Sequence, residues 1–337
     1  MRQAAGRGLQ TRPIASAGGH CQAVDKPGAY DCSGRAPCRG RGPVLRPEVS
    51  EQVTQNEQKA AQQYQQEAHR ASLAGEFRVG FASYLPVRPL IYGLDGVENV
   101  DLVRAPPSHL KRLLAGGEID AALLPVTDLP CFGHRLTVLP AGCFAASGPT
   151  LLTKVFSQVK PEEVSVLWAD SGSRSSVALV QVVWWNLYHR RMSIIPFDPS
   201  SGKAPPDAQA VLLIGDRVVT DPPLGFERHF DPVAMWHEMT GLPFVWTVWA
   251  TTRQKHLAEL YQLLLEAKQQ GQANLVNIAS EYGPAYGWPA DLAVRCLARD
   301  MQYDFTEAHR EGVEEFLELA AEQGLVEYSS PLRYYTP

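Results

Sequence analysis

The sequence predicts an α/β protein with buried, parallel sheets, and two observations support this. Between residues 76 and 252, short runs of consecutive apolar residues alternate with segments of helical periodicity. Continuous apolar strands are typical of sheets that are covered by helices on both faces, and such sheets are usually parallel. Beyond residue 252 the pattern is helical almost to the C-terminus. We therefore expect a sheet-forming body followed by a group of C-terminal helices.

The individual elements follow from apolar runs and from end signals. Runs rich in Val, Leu, Ile and Phe predict strands at 76–83, 99–105, 120–126, 150–157, 164–170, 193–198, 209–216 and 243–252. Helices are indicated by apolar spacing and by signals such as Ser108 as an N-cap with glycines at the far end. They are predicted at 108–117, 173–189, 231–241, 254–270, 272–281, 289–300 and 307–324, with a short helix or turn at 88–94.

The first 75 residues are predicted to lie outside the folded body, which begins near Phe77. Residues 1–46 are basic and rich in Gly and Pro, and residues 48–75 are rich in Gln and polar on nearly every face. We expect a disordered basic leader followed by a polar linker helix in residues 1–75. A basic organelle-type transit peptide is the alternative interpretation of the leader.

The composition argues against several classes of protein. The formal net charge is −5 and the cations are concentrated near the N-terminus, so the acidic body is unsuited to nucleic acid. No run approaches the ~20 apolar residues that span a bilayer, and the N-terminus lacks the apolar segment of a secretory signal. We therefore expect a cytoplasmic protein without membrane insertion. The six cysteines lack C-x-x-C spacing and the common nucleotide, zinc-protease and serine-hydrolase motifs are missing, which predicts no metal site and mostly free thiols.

Four predicted strands end in polar residues that could bind a ligand. In open α/β sheets, ligands bind beyond the carboxyl ends of the strands. The four ends are "FASYL" at 81–85 with Ser83 and Tyr84, "ALLPVTD" at 122–128, "LWADSGSRSS" at 167–176 and "LLIGDRV" at 212–218. Their convergence predicts a binding site at one edge of the sheets.

The strongest of these signals is the segment "DSGSRSSVAL", where a strand passes through a tight turn into a helix. It contributes Asp170, Gly172, Ser173, Arg174, Ser175 and Ser176. Free N–H groups in the first turn of a helix attract anions, and the serines and the arginine add donors. We predict a carboxylate or phosphate site here. The alternative is that one serine acts only as an N-cap.

Three further segments supply candidate groups for the same cleft. The stretch "SYLPVRPL" offers Ser83 and Tyr84 as hydrogen-bonding groups and Arg88 as a clamp, the alternative being a turn with the arginine in solvent. The turn "SGPT" offers backbone amides near Gly148 and Thr150. Asp216 follows a glycine at a strand end, where it either faces a ligand or serves as the N-cap of the next element.

Taken together, these segments resemble the chorismate dehydratase family of the futalosine route to menaquinone. The resemblance runs from about Phe77 to Leu325. It rests on six segments in order: "SYLPVRPLIYGL", "GEIDAALLPV", "DSGSRSSVAL", "AVLLIGDRV", "TGLPFVWTVWA" and "EGVEEFLELAAEQGL". The resemblance implies a type 2 periplasmic-binding-protein-like fold with a cleft between two α/β lobes. We expect lobe one to comprise 77–165 plus 248–337, and lobe two to comprise 166–247.

The implied activity is that of a carbon–oxygen lyase converting chorismate to 3-[(1-carboxyvinyl)oxy]benzoate and water, with no cofactor and no metal. A dicarboxylate substrate needs two anion-accepting ends, for which "SGSRSS" and the region of Ser83 and Arg88 are the candidates. Asp170 and Asp216 are candidate proton acceptors, and the enolpyruvyl carboxylate of the substrate is the alternative. The first motif of the family typically reads S-Y-L-N, whereas this chain carries Pro86 at the fourth position.

Two other functions fit the same resemblance. One is a non-catalytic protein of this fold that binds a small anion, and the other is the related dihydroxynaphthoate-forming enzyme of the same pathway. The first is disfavoured because extracytoplasmic receptors normally carry a secretion signal. The second is disfavoured because "SYLxxRPL" and "SRSSVALV" are closer to the dehydratase. The sequence leaves the oligomeric state open.

Overall fold

The computed structural model describes residues 77–170, 172–199 and 207–337, so the predicted leader and linker at 1–75 lie outside the described residues. The strands are β1 Phe77–Phe81, β2 Val100–Arg104, β3 Ala121–Pro125, β4 Thr137–Ala146, β5 Thr153–Ser157, β6 Val166–Asp170, β7 Ser193–Phe197, β8 Ala210–Ile214, β9 Arg228–Phe230 and β10 Phe244–Thr251. The α-helices are α1 Pro107–Ala115, α2 Arg174–Tyr188, α3 Arg217–Thr220, α4 Pro232–Thr240, α5 Leu257–Ala273, α6 Leu275–Tyr282, α7 Ala290–Arg295 and α8 Glu307–Glu322. The predicted mixed α/β architecture with C-terminal helices is confirmed.

The strands form two five-stranded sheets, ordered β2-β1-β3-β10-β4 and β7-β6-β8-β5-β9. In each sheet the first three strands are parallel, as predicted. The prediction fails for β10, which runs antiparallel to β3 and β4, and for β5, which runs antiparallel to β8 and β9. The physical reason is the connection: parallel neighbours need a long crossover, whereas β5 enters its sheet directly from the other one.

The change of sheet occurs at different points from the predicted lobe boundaries. Strand β5 pairs with β8 in the second sheet, although a boundary at residue 165 assigns it to lobe one. Residues 244–247 of β10 belong to the first sheet, although they were assigned to lobe two. The chain therefore changes sheet between Ala146 and Thr153, and again between Phe230 and Phe244. That the two sheets belong to lobes that close on each other stays a prediction.

Strand β4 was not predicted, because its sequence contains residues that are typical of loops. "TVLPAGCFAA" carries Pro140 and Gly142, which are disfavoured inside central strands. The strand is the outermost of its sheet, and its pairing with β10 shows register shifts on either side of Val248. An outer position and local irregularities are where a strand tolerates proline.

A cluster of aromatic residues joins the C-terminal helix to the sheets. Trp236 of α4, Phe244 of β10 and Phe316 of α8 are fully or almost fully buried. Their rings meet edge to face, with centroids 5.9 Å apart for Trp236–Phe316 and 5.1 Å apart for Phe244–Phe316. Such pairs contribute about 0.5–1.5 kcal/mol each beyond the burial of their area. This cluster packs α4 and α8 against β10 of the first sheet.

The segment after β1 forms a 3₁₀ helix, Leu85–Ile91, whose apolar residues are buried. Pro89 lies inside this helix and lacks the N–H group that a regular α-helix requires there, whereas Pro86 lies in the first turn, where that group is not needed. The backbone at Pro89 lies directly against Gly271 of α5. In the described part of the chain, no helix has both the length and the apolar character needed to cross a membrane.

Candidate functional site

A cavity of about 840 Å³ is lined by residues from both sheets. Its walls come from the segments that follow β1, β2, β3, β6 and β8 at their carboxyl ends, together with parts of β4 and β10. This is the position expected for a ligand site in an α/β protein. The convergence of polar strand ends that the sequence predicts therefore occurs at a real cavity.

Two predicted motifs come together on the cavity wall. Ser83 and Tyr84 follow β1, and Ser173 and Arg174 stand at the start of α2. The hydroxyl of Ser173 caps the helix by accepting a hydrogen bond from the backbone N–H of Ser176 at 3.3 Å. The first turn of α2 thus faces the cavity, with the adjacent Gly172 also in the wall.

Arg88 does not line the cavity. Its guanidinium lies over the ring of Tyr282, 4.5 Å from the centroid, and its Nε donates a hydrogen bond to the Tyr286 hydroxyl at 3.2 Å. That hydroxyl is also 2.9 Å from the Ser83 hydroxyl. The predicted clamp is therefore part of an aromatic cluster that supports Ser83 from behind.

Four other predicted residues also lie outside the cavity wall. Ser175 and Ser176 are buried within the first turns of α2, where Ser175 shares a hydrogen bond with Thr127. Thr150 is buried, and its backbone N–H donates to Asp231 at 2.6 Å. Gly148 lies in the turn before it and does not contribute to the wall. These positions shape the turns that carry the site.

Asp170 and Asp216 do not line the cavity. Burial, followed by the charges of these two carboxylates, raises the pKa of Tyr84, so the phenol stays protonated. Burial also raises the pKa of Asp170, although the N–H of Gly172 opposes this. The two carboxylates therefore lie near Tyr84 but outside the cavity wall.

Asp216 occupies the N-cap position of α3, but its side chain makes no capping hydrogen bond. Instead, its Oδ1 accepts a hydrogen bond of 2.6 Å from the Trp288 indole. Burial raises the pKa of Asp216 to about 6, and the hydrogen bond from Trp288 only partly offsets this. The sequence offered Asp216 either as a ligand-facing group or as a helix cap. Its side chain does neither in this structure and is a buried carboxylate held by the Trp288 indole.

Asp128, from the predicted strand end "ALLPVTD", joins two cations across the site. Its Oδ1 lies 3.1 Å from Nζ of Lys111 on α1 and 3.2 Å from the guanidinium of Arg174 on α2, and its side chain is only 3% exposed. Burial acts to lower the pKa of Lys111, but hydrogen bonds to Cys131 and Asp128 outweigh it and raise the pKa. Lys111 therefore keeps its charge beside the cavity.

Sequence reasoning missed three of the four cations in the wall: Arg104, Lys111 and Arg112. Arg104 ends β2, and only the parallel pairing of β2 with β1 shows that it lies at this edge of the sheet. The lysine and Arg112 lie within α1 and resemble an ordinary solvated helix face. Among the described residues that line the cavity, Asp128 is the sole acidic one, so this wall carries an excess of positive charge in a chain of net charge −5. Such a cavity favours an anion.

The opposite part of the wall is apolar and aromatic. Phe144 of β4 and Trp246 of β10 stack with centroids 4.7 Å apart and ring planes 17° apart. Both line the cavity together with Val87, Leu152 and Ile214. Such a surface suits a flat, unsaturated ring.

The described residues include no group of three or more His, Cys, Asp or Glu side chains placed to hold a metal ion. Cys131, Cys143 and Cys296 are free thiols, as predicted, while Cys21, Cys32 and Cys38 lie outside the described residues.

Solved structures with similar folds support the predicted architecture. A protein from Archaeoglobus fulgidus superposes with a TM-score of 0.60 at 17% identity, covering 74% of this chain and 98% of that one. The alkanesulfonate-binding protein of Xanthomonas axonopodis superposes with a TM-score of 0.54 at 14% identity, covering 76% and 96%. At these identities the likeness concerns the fold alone, and it confirms a periplasmic-binding-protein-like fold.

Sequence comparisons place the chain in a family. A curated chorismate dehydratase from Thermus thermophilus is 26% identical over 262 residues, which cover 71% of this chain and 93% of that protein. The family model described as menaquinone biosynthesis matches residues 77–322. That match includes both sheets and all eight α-helices α1 to α8. The chain belongs to the menaquinone biosynthesis family.

Proposed function

We propose that this protein is a chorismate dehydratase, which converts chorismate to 3-[(1-carboxyvinyl)oxy]benzoate and water in menaquinone biosynthesis by the futalosine route. The observation that carries the proposal is the cavity, which combines a stacked aromatic wall with an excess of cations. Chorismate is a ring dianion, so it needs both features. The similarity to the Thermus thermophilus chorismate dehydratase supports the same choice.

The size of the cavity is compatible with this substrate. Cavities of about 300–1,000 Å³ hold small organic ligands, and this one has about 840 Å³. One carboxylate of the substrate is placed at the start of α2, where Ser173 and Arg174 line the wall. The ring is placed against Phe144 and Trp246.

The proposed reaction is redox-neutral and its atoms balance. The bond from the ring to its hydroxyl oxygen breaks, the neighbouring ring carbon loses its proton, and the freed electron pair completes the aromatic ring. The hydroxyl and the proton leave together as water. Aromatisation drives the reaction, so the contribution of the protein is orientation and placement of charge.

Tyr84 is suited to assist the departing hydroxyl. It lines the cavity, and its raised pKa keeps the phenol protonated and able to donate a hydrogen bond. The proton acceptor is either the enolpyruvyl carboxylate of the substrate or one of Asp170 and Asp216. Since neither aspartate lines the cavity, we favour the substrate carboxylate.

Pro86 lies in the cavity wall at the position where the family typically has asparagine. Proline offers neither a side-chain amide nor a backbone donor. The neighbouring hydroxyls of Ser83 and Tyr84 supply the remaining hydrogen-bonding groups on this part of the wall.

The test is to incubate the full-length protein with chorismate and to follow substrate and product by chromatography. We expect formation of 3-[(1-carboxyvinyl)oxy]benzoate without any added cofactor, at a rate proportional to the protein concentration. Samples with heat-inactivated protein and without protein control for spontaneous breakdown of chorismate. Binding of chorismate without product would instead support a non-catalytic anion-binding protein. Neither binding nor turnover would direct attention to the later, futalosine-derived substrate.

A further inference from the structure

The cavity needs a second anion-accepting end if its ligand carries two carboxylates. The first end lies at Ser173 and Arg174. The sequence predicts the second end in the region of Ser83 and Arg88. Ser83 lines the cavity, but the Arg88 guanidinium is held by Tyr282 and Tyr286 outside it. The second end must therefore be formed by another cation in the wall.

Arg104 is a cation of the cavity wall that lies beside the Ser83–Tyr84 segment. It is the last residue of β2 and is paired in register with Phe81, the last residue of β1. Because β1 and β2 are parallel, Arg104 lies at the same sheet edge as the Ser83–Tyr84 segment that follows β1. It is exposed and lines the cavity.

The other cations at this end already have partners. Lys111 contacts Asp128 and Cys131, and Arg112 contacts Glu118 at 3.4 Å. The side chain of Arg104, in contrast, forms no hydrogen bond or ion pair with any other residue that the structure describes. Its charge is therefore available to a ligand.

We propose that Arg104, together with the hydroxyl of Ser108, forms the second carboxylate subsite and makes the cavity selective for dicarboxylates. Ser108 also lines the cavity, from the first turn of α1. An arginine can bind a carboxylate through two parallel N–H···O bonds, which fixes the orientation of the ligand as well as adding affinity. The identification of the ligand as chorismate-like rests on the proposed function.

The test compares two ligands that share an aromatic ring and differ in their number of carboxylates. These are 3-[(1-carboxyvinyl)oxy]benzoate, with two, and 3-hydroxybenzoate, with one. Their dissociation constants are measured by titration calorimetry at fixed ionic strength with the full-length wild type, Arg104→Gln and Arg135→Gln. Arg135 is a matched control, because it is exposed and does not line the cavity.

Arg104→Gln is expected to weaken binding of the dicarboxylate about tenfold and binding of the monocarboxylate less than about twofold, as for loss of one charge-assisted contact. Arg135→Gln is expected to change neither. Equal weakening of both ligands by Arg104→Gln, or no weakening at all, would overturn the proposal. Selective loss in Arg88→Gln but not in Arg104→Gln would also overturn it and move the subsite to Arg88.

This experiment separates the subsite from the proposed reaction. If the wild type binds the dicarboxylate more tightly through Arg104 but does not convert chorismate, the dehydratase assignment fails and the subsite stands. If the wild type shows no preference for the dicarboxylate, the subsite proposal fails, whatever the outcome with chorismate.

Discussion

Replacing Gly271 with alanine is expected to destabilise the protein by about 3 kcal/mol or more, at the upper end of overpacking effects. A Cβ at this position would lie 2.0 Å from the carbonyl oxygen of Pro89 and 2.6 Å from its carbonyl carbon. Both are backbone atoms, so no side-chain rotation relieves the contact. Helix propensity alone would favour alanine by about 1 kcal/mol. A loss of stability would therefore show that α5 packs closely against the 3₁₀ helix, whereas a gain would show that helix propensity dominates.

The measurement is equilibrium unfolding in urea, with Gly96→Ala as the control. Nothing lies within 4 Å of a Cβ built at Gly96, so that variant is expected to remain within about 0.5 kcal/mol of the wild type. Because the 3₁₀ helix carries Pro86 and Val87 of the cavity wall, Gly271→Ala should also weaken ligand binding. An unchanged unfolding midpoint would show that α5 does not hold this segment.

Much of the candidate site could be predicted from local sequence, because parallel strands present their carboxyl ends at one edge. Ser83, Tyr84, Ser173 and Arg174 were found in this way, and all four line the cavity. Their residue types and their positions after apolar runs were sufficient. Neither long-range contacts nor strand register was needed to place them.

The positions of Arg88 and Arg104 could not be predicted from the local sequence. Arg88 lies in the same motif as Ser83, but it is drawn away by two tyrosines that are about 200 residues further along the chain. Nothing in the local pattern indicates that contact. Arg104 looks like an ordinary charged residue at the end of a strand, and only its pairing with Phe81 places it at the cavity. In both cases the decisive information is the packing of distant segments.

The order of the strands was equally inaccessible to local patterns. Apolar runs predicted β5 and β10, but the same runs suit parallel and antiparallel neighbours when both faces are buried. Their direction depends on where the chain passes between the two sheets. The chain passes between the sheets before β5 and before β10, whereas the lobe boundaries at 165 and 247 stay predictions.

Asp216→Asn is expected to make the protein more stable than the wild type at pH 8 by about 2–3 kcal/mol, and to lose most of that advantage near pH 4. The pKa of this carboxyl is about 6 in the folded protein and near 3.8 when exposed. The folded state thus binds the proton more tightly, so wild-type stability falls as the pH rises between these two values. Asparagine cannot ionise, yet its amide oxygen can still accept the hydrogen bond from Trp288.

The difference in unfolding free energy between variant and wild type should be measured from pH 4.5 to pH 8. Asp221→Asn is the control, because it removes the same charge at an exposed position. A difference that stays constant with pH would show that Asp216 is not a buried, destabilising carboxylate.

Turnover of chorismate by the same variants then decides the role of Asp216 in the reaction. If Asp216→Asn gains stability and keeps full turnover, the carboxylate is structural and the proton acceptor is sought on the substrate. If turnover is lost while 3-[(1-carboxyvinyl)oxy]benzoate still binds, Asp216 contributes to the reaction although it does not line the cavity, and its charge on the nearby Tyr84 is the route to examine.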